Sequence, residues 1–200
     1  LVFLFQPNEE DAGAQVMIDD GALEMAGNPQ AVFGCHLKHN FPFGTIAMVP
    51  GPMMASSYYF KVTIHGKGGH GGYPHLSISP ISASSHVIAA IDTFNSLEQN
   101  VFRPTVISTG KIHAGEKEIV IPDVLTMEGS VRCLHFDHKH VHSRFRSIVE
   151  KVCDVHRCTC DIELKRGNSL LANDESLFEL ARRSAEDTVG AANVLTRDVA

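Results

Sequence analysis

The chain begins with a short apolar segment that leads into two adjacent carboxylates. Residues 1–5 are Leu-Val-Phe-Leu-Phe, and Gln-Pro-Asn connects them to Glu9 and Glu10. A short apolar run before a turn predicts a buried strand, and strand tips carry the chemistry of many open α/β enzymes. Neighbouring side chains on an extended chain point to opposite sides, so Glu9 and Glu10 are expected to have different roles. The alternative is an acidic first turn of the following helix.

A second apolar run ends in a histidine. Residues 31–36 are Ala-Val-Phe-Gly-Cys-His, and they follow a helical pattern at 11–18. Strand, helix and strand predict a βαβ unit, whose parallel strands end at the same edge of the sheet. Glu10 and His36 would then lie side by side as half of a metal site, with Glu9 beside them as a general base. Taken alone, His36 is more typical of a structural or partly exposed histidine.

The middle of the chain alternates between strand and helix periodicity. The pattern predicts strands over 58–65, 106–113, 125–134 and 159–165, and helices over 81–97 and 137–155. The order βαββαβ predicts a ferredoxin-like sandwich, a sheet with both helices on one face.

A series of motifs runs in order along almost the whole chain. They are Phe5 to Glu10, Gly34-Cys35-His36, the segments 43–47 and 51–56, Gly66-Lys67-Gly68-Gly69-His70-Gly71-Gly72-Tyr73-Pro74-His75, Ile121-Pro122-Asp123 and Gly129-Ser130-Val131-Arg132. Together they closely resemble the M20 metallopeptidases, and within them the amidohydrolases of N-acyl amino acids such as hippurate hydrolase and the auxin-conjugate hydrolases.

The resemblance implies an α/β fold in three parts. Residues 1–54 and 167–200 would belong to a zinc-peptidase-like catalytic α/β domain, and 55–166 would form an inserted ferredoxin-like lid and dimerisation domain. It also implies metal-dependent hydrolysis of the amide bond of N-acyl amino acids or small peptides. A homodimer through the lid domain is the expected assembly.

The resemblance implies roles for individual residues. Glu9 matches the general base, and Glu10 and His36 match ligands of a centre of two divalent metal ions. Zn²⁺ or Mn²⁺ is expected there, and Co²⁺ or Ni²⁺ would also suit these ligands. His70 matches a lid-domain histidine that contacts substrate in the partner subunit's active site and stabilises the oxyanion. Arg132 lies near the family's arginine that binds the substrate carboxylate.

The chain departs from the family pattern in two respects. Ile119 precedes the Val-Ile-Pro-Asp stretch, where many relatives have an asparagine. The chain is also about half as long as its relatives and is expected to be a fragment lacking both ends, including further metal ligands. Because Zn²⁺ normally takes three or four protein ligands, we expect the fragment alone to be inactive. A non-catalytic dimerising or small-ligand-binding module is the alternative function.

Composition limits the partners. The 200 residues are 44% hydrophobic with a formal net charge of -6, and no basic stripe predicts a nucleic-acid partner. No apolar run approaches the ~20 residues of a membrane span, so no membrane partner is expected. Cys35 and Cys133 lie in strand-like runs and are predicted to be buried free thiols, which favours a reducing, cytoplasmic location.

Two further clusters carry no predicted function. Cys153, His156, Cys158 and Cys160 could in principle hold zinc, but they are expected to straddle a helix end and a strand. Four histidines in or just before the predicted 137–155 helix are expected to form a solvated face, namely His135, His138, His140 and His142.

Overall fold

The computed structural model describes residues 1–7 and 13–196. The chain divides into two compact units, one of Leu1–Met53 with Ala172–Ala200 and one of Met54–Leu171. The roles of these parts as catalytic and lid domains stay predictions.

The Met54–Leu171 unit is built on a four-stranded antiparallel sheet. Its strands are β3 (Ser56–His65), β5 (Thr105–Ala114), β7 (Val124–Cys133) and β8 (Thr159–Arg166), in the spatial order β5-β7-β3-β8. The first strand alternates as the sequence predicts, with Phe60, Val62 and Ile64 buried and Tyr59 and Lys61 exposed. One face of this sheet therefore belongs to the core and the other lies open.

Two long helices cover the core face. Helix α3 (Pro80–Thr93) begins where the Ser79 side chain accepts a hydrogen bond from the Ser82 N–H, and it continues into a π-helical turn at Phe94–Glu98. Helix α4 (His138–Val155) buries Phe145 and its apolar neighbours. The buried side chains of both helices form one cluster with those of β3, so both helices pack on the same face of the sheet. The predicted ferredoxin-like arrangement is confirmed.

Two short strands complete this unit. Strand β4 (Gly69–His70) pairs antiparallel with β6 (Val120–Ile121), and a single 3₁₀ turn, Pro74–Leu76, follows β4. These elements lie in the connections of the main sheet and carry the glycine-rich segment of the sequence.

The edge strand β5 is irregular and partly covered. Its register against β7 shifts between Thr109 and Lys111, so Gly110 is the extra residue of a β-bulge. Before the bulge, the Asn95 side chain accepts from the Ile107 N–H at 3.1 Å and donates to the Ile107 carbonyl at 2.8 Å. The π-helical turn thus places the Asn95 amide against the backbone of Ile107, where a further strand would otherwise pair with β5.

The other unit contains mostly short elements. They are α1 (Ala14–Asp19), α2 (Ala22–Met25), β1 (Ile46–Ala47), β2 (Gly51–Met54), β9 (Leu171–Asn173), α5 (Glu175–Val189) and β10 (Val194–Leu195), of which β2 and β9 each have one end residue across the boundary between the units. Strand β1 pairs parallel with β10, and β2 pairs with β9. Helix α5 is capped at its N-terminus by Asp174, whose carboxylate accepts hydrogen bonds from the N–H groups of Ser176 and Leu177.

The predicted βαβ unit is wrong for the described residues. Residues 1–7 and 31–38 form neither helix nor strand, and Phe5 and Phe33 are exposed. An apolar run becomes a strand only where a neighbouring strand satisfies its backbone groups, and no described segment pairs with these two runs. Cys35 is accordingly exposed, against the prediction, whereas Cys133 is buried as predicted.

Candidate functional site

The two predicted carboxylates, Glu9 and Glu10, lie outside the described residues. Their roles as general base and metal ligand therefore stay predictions. The remaining site residues, His36, His70 and Arg132, are described.

His36 has an exposed side chain, and one of its ring nitrogens makes a hydrogen bond to the backbone. Its Nδ1 lies 3.0 Å from the carbonyl oxygen of Leu37. A carbonyl oxygen only accepts, so Nδ1 donates and the neutral ring keeps its lone pair on Nε2. Metal-ligating histidines commonly donate their other nitrogen to a backbone carbonyl, so His36 is suited to bind a metal ion through Nε2. Among residues 1–7 and 13–196, no group of three His, Cys, Asp or Glu side chains could hold a metal ion.

His70 lies at the end of β4 with an exposed side chain. Its Nδ1 accepts a hydrogen bond from the Gly72 N–H at 2.9 Å, and its ring centre lies 5.5 Å from that of Tyr73. The backbone around it is held by the Gly71 N–H, which donates to the Ile119 carbonyl, and by the Tyr73 N–H, which donates to the His70 carbonyl. His70 is therefore an exposed imidazole on a well-connected loop.

The glycines before His70 allow close contact between parts of the same chain. A Cβ on Gly66 would lie 2.2 Å from the Ile78 carbonyl oxygen, and one on Gly68 would lie 2.9 Å from the Ile121 carbonyl oxygen. Neither glycine has a positive φ, so steric closeness rather than backbone conformation requires them. In the described chain, Gly66 allows close packing against Ile78 before helix α3, and Gly68 allows it against the residues that precede β7.

Asp123 is a residue whose role the sequence reasoning missed. Its carboxylate accepts from the Gly68 N–H at 2.7 Å, and its backbone carbonyl accepts from the Gly66 N–H at 2.7 Å. The signal was present in the Ile-Pro-Asp motif, because aspartate after proline commonly binds backbone N–H groups in turns. Ile119 contributes its backbone carbonyl to the same loop, while its side chain is 58% exposed.

Arg132 lies at the far end of β7 from the His70 loop. Its side chain is exposed, and its strand neighbours Val131 and Cys133 are buried on the other face. Asp123 and Val124, which contact or adjoin the His70 loop, stand at the start of the strand. A rise of about 3.4 Å per residue separates Val124 from Arg132 by about 27 Å. Within one chain, His70 and Arg132 therefore do not converge on one small substrate.

A shallow depression lies on the open face of the sheet. It has a volume of about 330 Å³, and Tyr59, Ser108, Lys111 and Glu128 are among its lining residues. Lys111 and Glu128 form an ion pair at 3.3 Å. Small-molecule sites usually bury most of their ligand, so this exposed depression adds no support to the small-ligand-binding alternative.

The cysteine and histidine cluster at the end of α4 is not arranged as a metal site in the described chain. Cys153 and Cys158 are buried, and the His156 ring packs against His86 with ring centres 4.7 Å apart. Burial, with the nearby Cys160 and Cys158, raises the pKa of the Cys153 thiol to about 12. A neutral buried thiol is a packing group rather than a nucleophile.

The prediction of a solvated histidine face is wrong for two of its four members. His140 is exposed, but His135 is buried and its Nε2 lies 2.8 Å from the Thr105 hydroxyl. His142 packs edge-on against the Tyr58 ring at 4.0 Å between centres, and its buried Nε2 has no hydrogen-bond partner among the described residues. His142 lies on the side of α4 that faces the sheet, and His135 lies just before the helix. A polarity pattern treats both rings as solvent-facing.

Comparison with protein families identifies the fold. The family model of the M20 peptidase dimerisation domain matches residues 56–157, which span the sheet from β3 to β7 and both long helices. The chain therefore belongs to the M20 family of metallopeptidases and amidohydrolases.

Its relatives include enzymes that act on amides. The chain is 36% identical over 91% of its length to the N-acetyl-L-cysteine deacetylase of Bacillus subtilis strain 168. It is 31% identical over 95% of its length to the IAA-amino acid hydrolase ILR1-like 2 of Arabidopsis thaliana. The chain spans 44% of the length of each of these relatives.

Solved structures agree with this assignment. The YXEP protein of Bacillus subtilis, described as a dinuclear metal-binding peptidase of the M20 family, superposes with a TM-score of 0.74 at 28% identity. The superposition includes 92% of this chain and 45% of the YXEP chain. A protein of methicillin-resistant Staphylococcus aureus, described as an aminohydrolase, superposes with a TM-score of 0.85 at 28% identity over 92% of this chain and 49% of its own.

Proposed function

We propose that the whole protein catalyses metal-dependent hydrolysis of the amide bond of N-acyl amino acids or small peptides. The observation that carries this proposal is the similarity of nearly the whole chain to a deacetylase and to an amino acid conjugate hydrolase. The exposed His36, with a free lone pair on Nε2, supports the metal dependence.

Two divalent ions, Zn²⁺ or Mn²⁺ with Co²⁺ or Ni²⁺ as alternatives, are the proposed cofactors. Glu10 and His36 would hold them in part, because carboxylate and imidazole suit all four ions. When bound, such ions supply positive charge beside the amide carbonyl and allow hydrolysis by water at neutral pH.

The chain's own residues supply proton transfer and hydrogen bonds. Glu9 would take a proton from the attacking water, as a general base. The carbonyl oxygen then gains negative charge, and a preorganised donor such as His70 would stabilise it. Arg132 would bind a substrate carboxylate through two parallel hydrogen bonds.

Paired variants of the two carboxylates test the proposal. In the full-length protein, Glu9→Gln should lower turnover by roughly 10²–10⁴ while metal content is retained, because only the base is removed. Glu10→Ala should instead lower the metal content, measured by elemental analysis. Equal metal loss in both variants, or full activity in Glu9→Gln, would contradict the assigned roles.

We also propose that the protein is a homodimer that pairs through the Met54–Leu171 unit. A sheet edge with unpaired backbone groups invites a further strand, and this sheet has two edges, β5 and β8. Exposed charged residues line β8, and Asn95 covers β5 at Ile107. The stretch of β5 after the bulge, Lys111 to Ala114, is the proposed contact.

The roughly 27 Å between the start of β7 and Arg132 supports a site shared between subunits. If His70 serves the partner's site, mixing His70→Ala dimers with Glu9→Gln dimers should restore activity. Each exchanged heterodimer would then contain one site with an intact base and an intact histidine. A mixture that stays inactive while mass analysis shows subunit exchange would place His70 in its own subunit's site or outside catalysis.

A cytoplasmic location is proposed from the thiols. All five cysteines are free, and four of them have raised pKa values, mainly because burial disfavours the thiolate. Unpaired thiols are typical of a reducing compartment. Within the described part of the chain, no helix combines the length and the apolar character needed to cross a bilayer.

A further inference from the structure

The ring of His70 has one nitrogen committed to the protein backbone. The Gly72 N–H points at His70 Nδ1 from 2.9 Å. An amide N–H can only donate, so Nδ1 must present a lone pair, and the proton of the neutral imidazole must be on Nε2.

The donor is itself held in place. The Gly71 N–H binds the Ile119 carbonyl at 2.8 Å, and the Tyr73 N–H binds the His70 carbonyl at 2.9 Å. Gly72 therefore lies between two backbone hydrogen bonds that set its orientation. Pairing of Gly69 and His70 with Ile121 and Val120 extends this support to β6.

Position 72 leaves little room for a side chain. A Cβ on Gly72 would lie 3.1 Å from both Cε1 and Nδ1 of the His70 ring. Contacts between 3.0 and 3.4 Å require a neighbour to shift, and the neighbour here is the imidazole itself. An added methyl group would therefore push the ring away from the Gly72 N–H by a few tenths of an ångström.

We propose that the Gly72 backbone amide is a positioning group that holds His70 in the neutral Nε2–H tautomer and presents Nε2–H as a hydrogen-bond donor. This inference rests on the proposed amide hydrolysis, in which the acceptor is the substrate carbonyl oxygen. His36 shows the opposite arrangement, with Nδ1 donating to Leu37 and a lone pair on Nε2. Backbone contacts thus leave His70 with an N–H donor at Nε2 and His36 with a lone pair at Nε2 that can bind a metal ion.

Nuclear magnetic resonance tests the tautomer without measuring activity. The full-length protein is labelled with ¹⁵N-histidine and studied about two pH units above the usual imidazole pKa of about 6.5. The His70 signals, assigned by their loss in His70→Gln, should show a lone-pair nitrogen at Nδ1 and a protonated nitrogen at Nε2. The reverse pattern, or averaging between tautomers, would overturn the inference.

Gly72→Ala tests the positioning role. We expect it to move the His70 signals towards the averaged pattern and to lower kcat about 10-fold, less than the roughly 10²–10³ expected on removal of an oxyanion donor. The double variant Gly72→Ala/His70→Ala should be no slower than His70→Ala alone, because both changes act through one ring. Additive losses would contradict the proposal.

The matched control is Gly110→Ala, whose added Cβ meets no atom within 4 Å. It should leave the His70 signals unchanged. If His70→Ala kept full activity, His70 would have no catalytic role. The tautomer found by magnetic resonance would still show whether the Gly72 N–H orients the ring. If His70 proved to be the Nδ1–H tautomer while His70→Ala still lowered kcat strongly, only the role of Gly72 would be refuted and the proposed amide hydrolysis would remain.

Discussion

At the scale of single residues, the glycines differ in what they do for the fold. Gly129 in β7 lies where the sheet and the core meet, and a Cβ there would be 2.0 Å from the Ser108 carbonyl oxygen and 2.5 Å from the Phe60 ring. Gly110 in β5 has open space around it and no positive φ. Both positions are sheet glycines by sequence, so only the structure separates the essential one from the tolerant one.

We therefore predict a large difference between two alanine variants. Gly129→Ala should lower the free energy of unfolding by roughly 1–3 kcal/mol or more, because the β5 backbone and Phe60 must move apart. Gly110→Ala should change it by less than about 0.5 kcal/mol, as for most open surface positions. Urea denaturation of the 200-residue chain measures both. Similar values for the two variants would contradict the steric explanation.

Single residues also show where sequence reasoning stops. The motif around His70 identified the histidine, but the Gly72 N–H that orients its ring is a backbone group and leaves no side-chain signal. Cys35 was predicted to be buried because its neighbours are apolar, and it is exposed. Burial depends on a partner surface, which a local pattern does not report.

At the scale of elements, helix α4 and the residues just before it pack titratable histidine rings against the rest of the unit. Burial lowers the pKa of His142, and the neighbouring His138 and Arg146 lower it further. Burial also lowers the pKa of His135, with Asp137 acting in the opposite direction. The neutral form of each ring is thus favoured by the folded chain.

These shifts predict acid sensitivity. Because the folded pKa values lie below the unfolded value of about 6.5, the unfolded chain binds more protons, and stability falls as the pH drops below about 6.5 through the folded values. His142→Phe should keep the contact with Tyr58 and reduce this fall. Chemical denaturation at a series of pH values between about 8 and 5 provides the measurement.

The control for this prediction is His140→Gln, which removes an exposed imidazole from the same helix. It should leave the fall in stability near its original size. If His142→Phe lost stability with pH as steeply as the unmodified chain, the buried ring would not be its source.

The elements themselves were predicted well in one unit and poorly in the other. The four main strands and helix α4 agree with their predictions to within two residues, because each has an alternating or helical apolar pattern that its partners satisfy. Helix α3 ends at Thr93, four residues before its predicted end, and the chain continues there as the π-helical turn Phe94–Glu98. Residues 1–5 and 31–36 have equally apolar patterns but no paired strand in the described chain. Whether such an apolar run forms a strand depends on hydrogen-bond partners that are distant in sequence.

At the scale of the whole molecule, the Met54–Leu171 unit contains the continuous core. All the buried residues of the main hydrophobic cluster lie between Phe60 and Cys158. A separate core of this kind is the property expected of an independently folding domain.

We predict that residues 54–171 expressed alone fold cooperatively. Their circular dichroism should show mixed helix and strand, and heat should unfold them in one transition, because the core is complete without the flanking segments. The matched control is Gly129→Ala within the same fragment, which should unfold at a lower temperature. A fragment without a cooperative transition would show that the flanking residues are required.

The two ends of this unit meet through Ser57. Its N–H donates to the Asn168 carbonyl, its carbonyl accepts from the Gly167 N–H, and its hydroxyl accepts from the Asn168 N–H, all at 2.9 Å. The two ends of the unit are thus adjacent, like the two ends of a surface loop. A gene segment with this property can be inserted into a host or removed from it while the host backbone needs only a short connection across the gap. The Ser57 junction is therefore where such a unit can be joined to a host chain with the shortest connection.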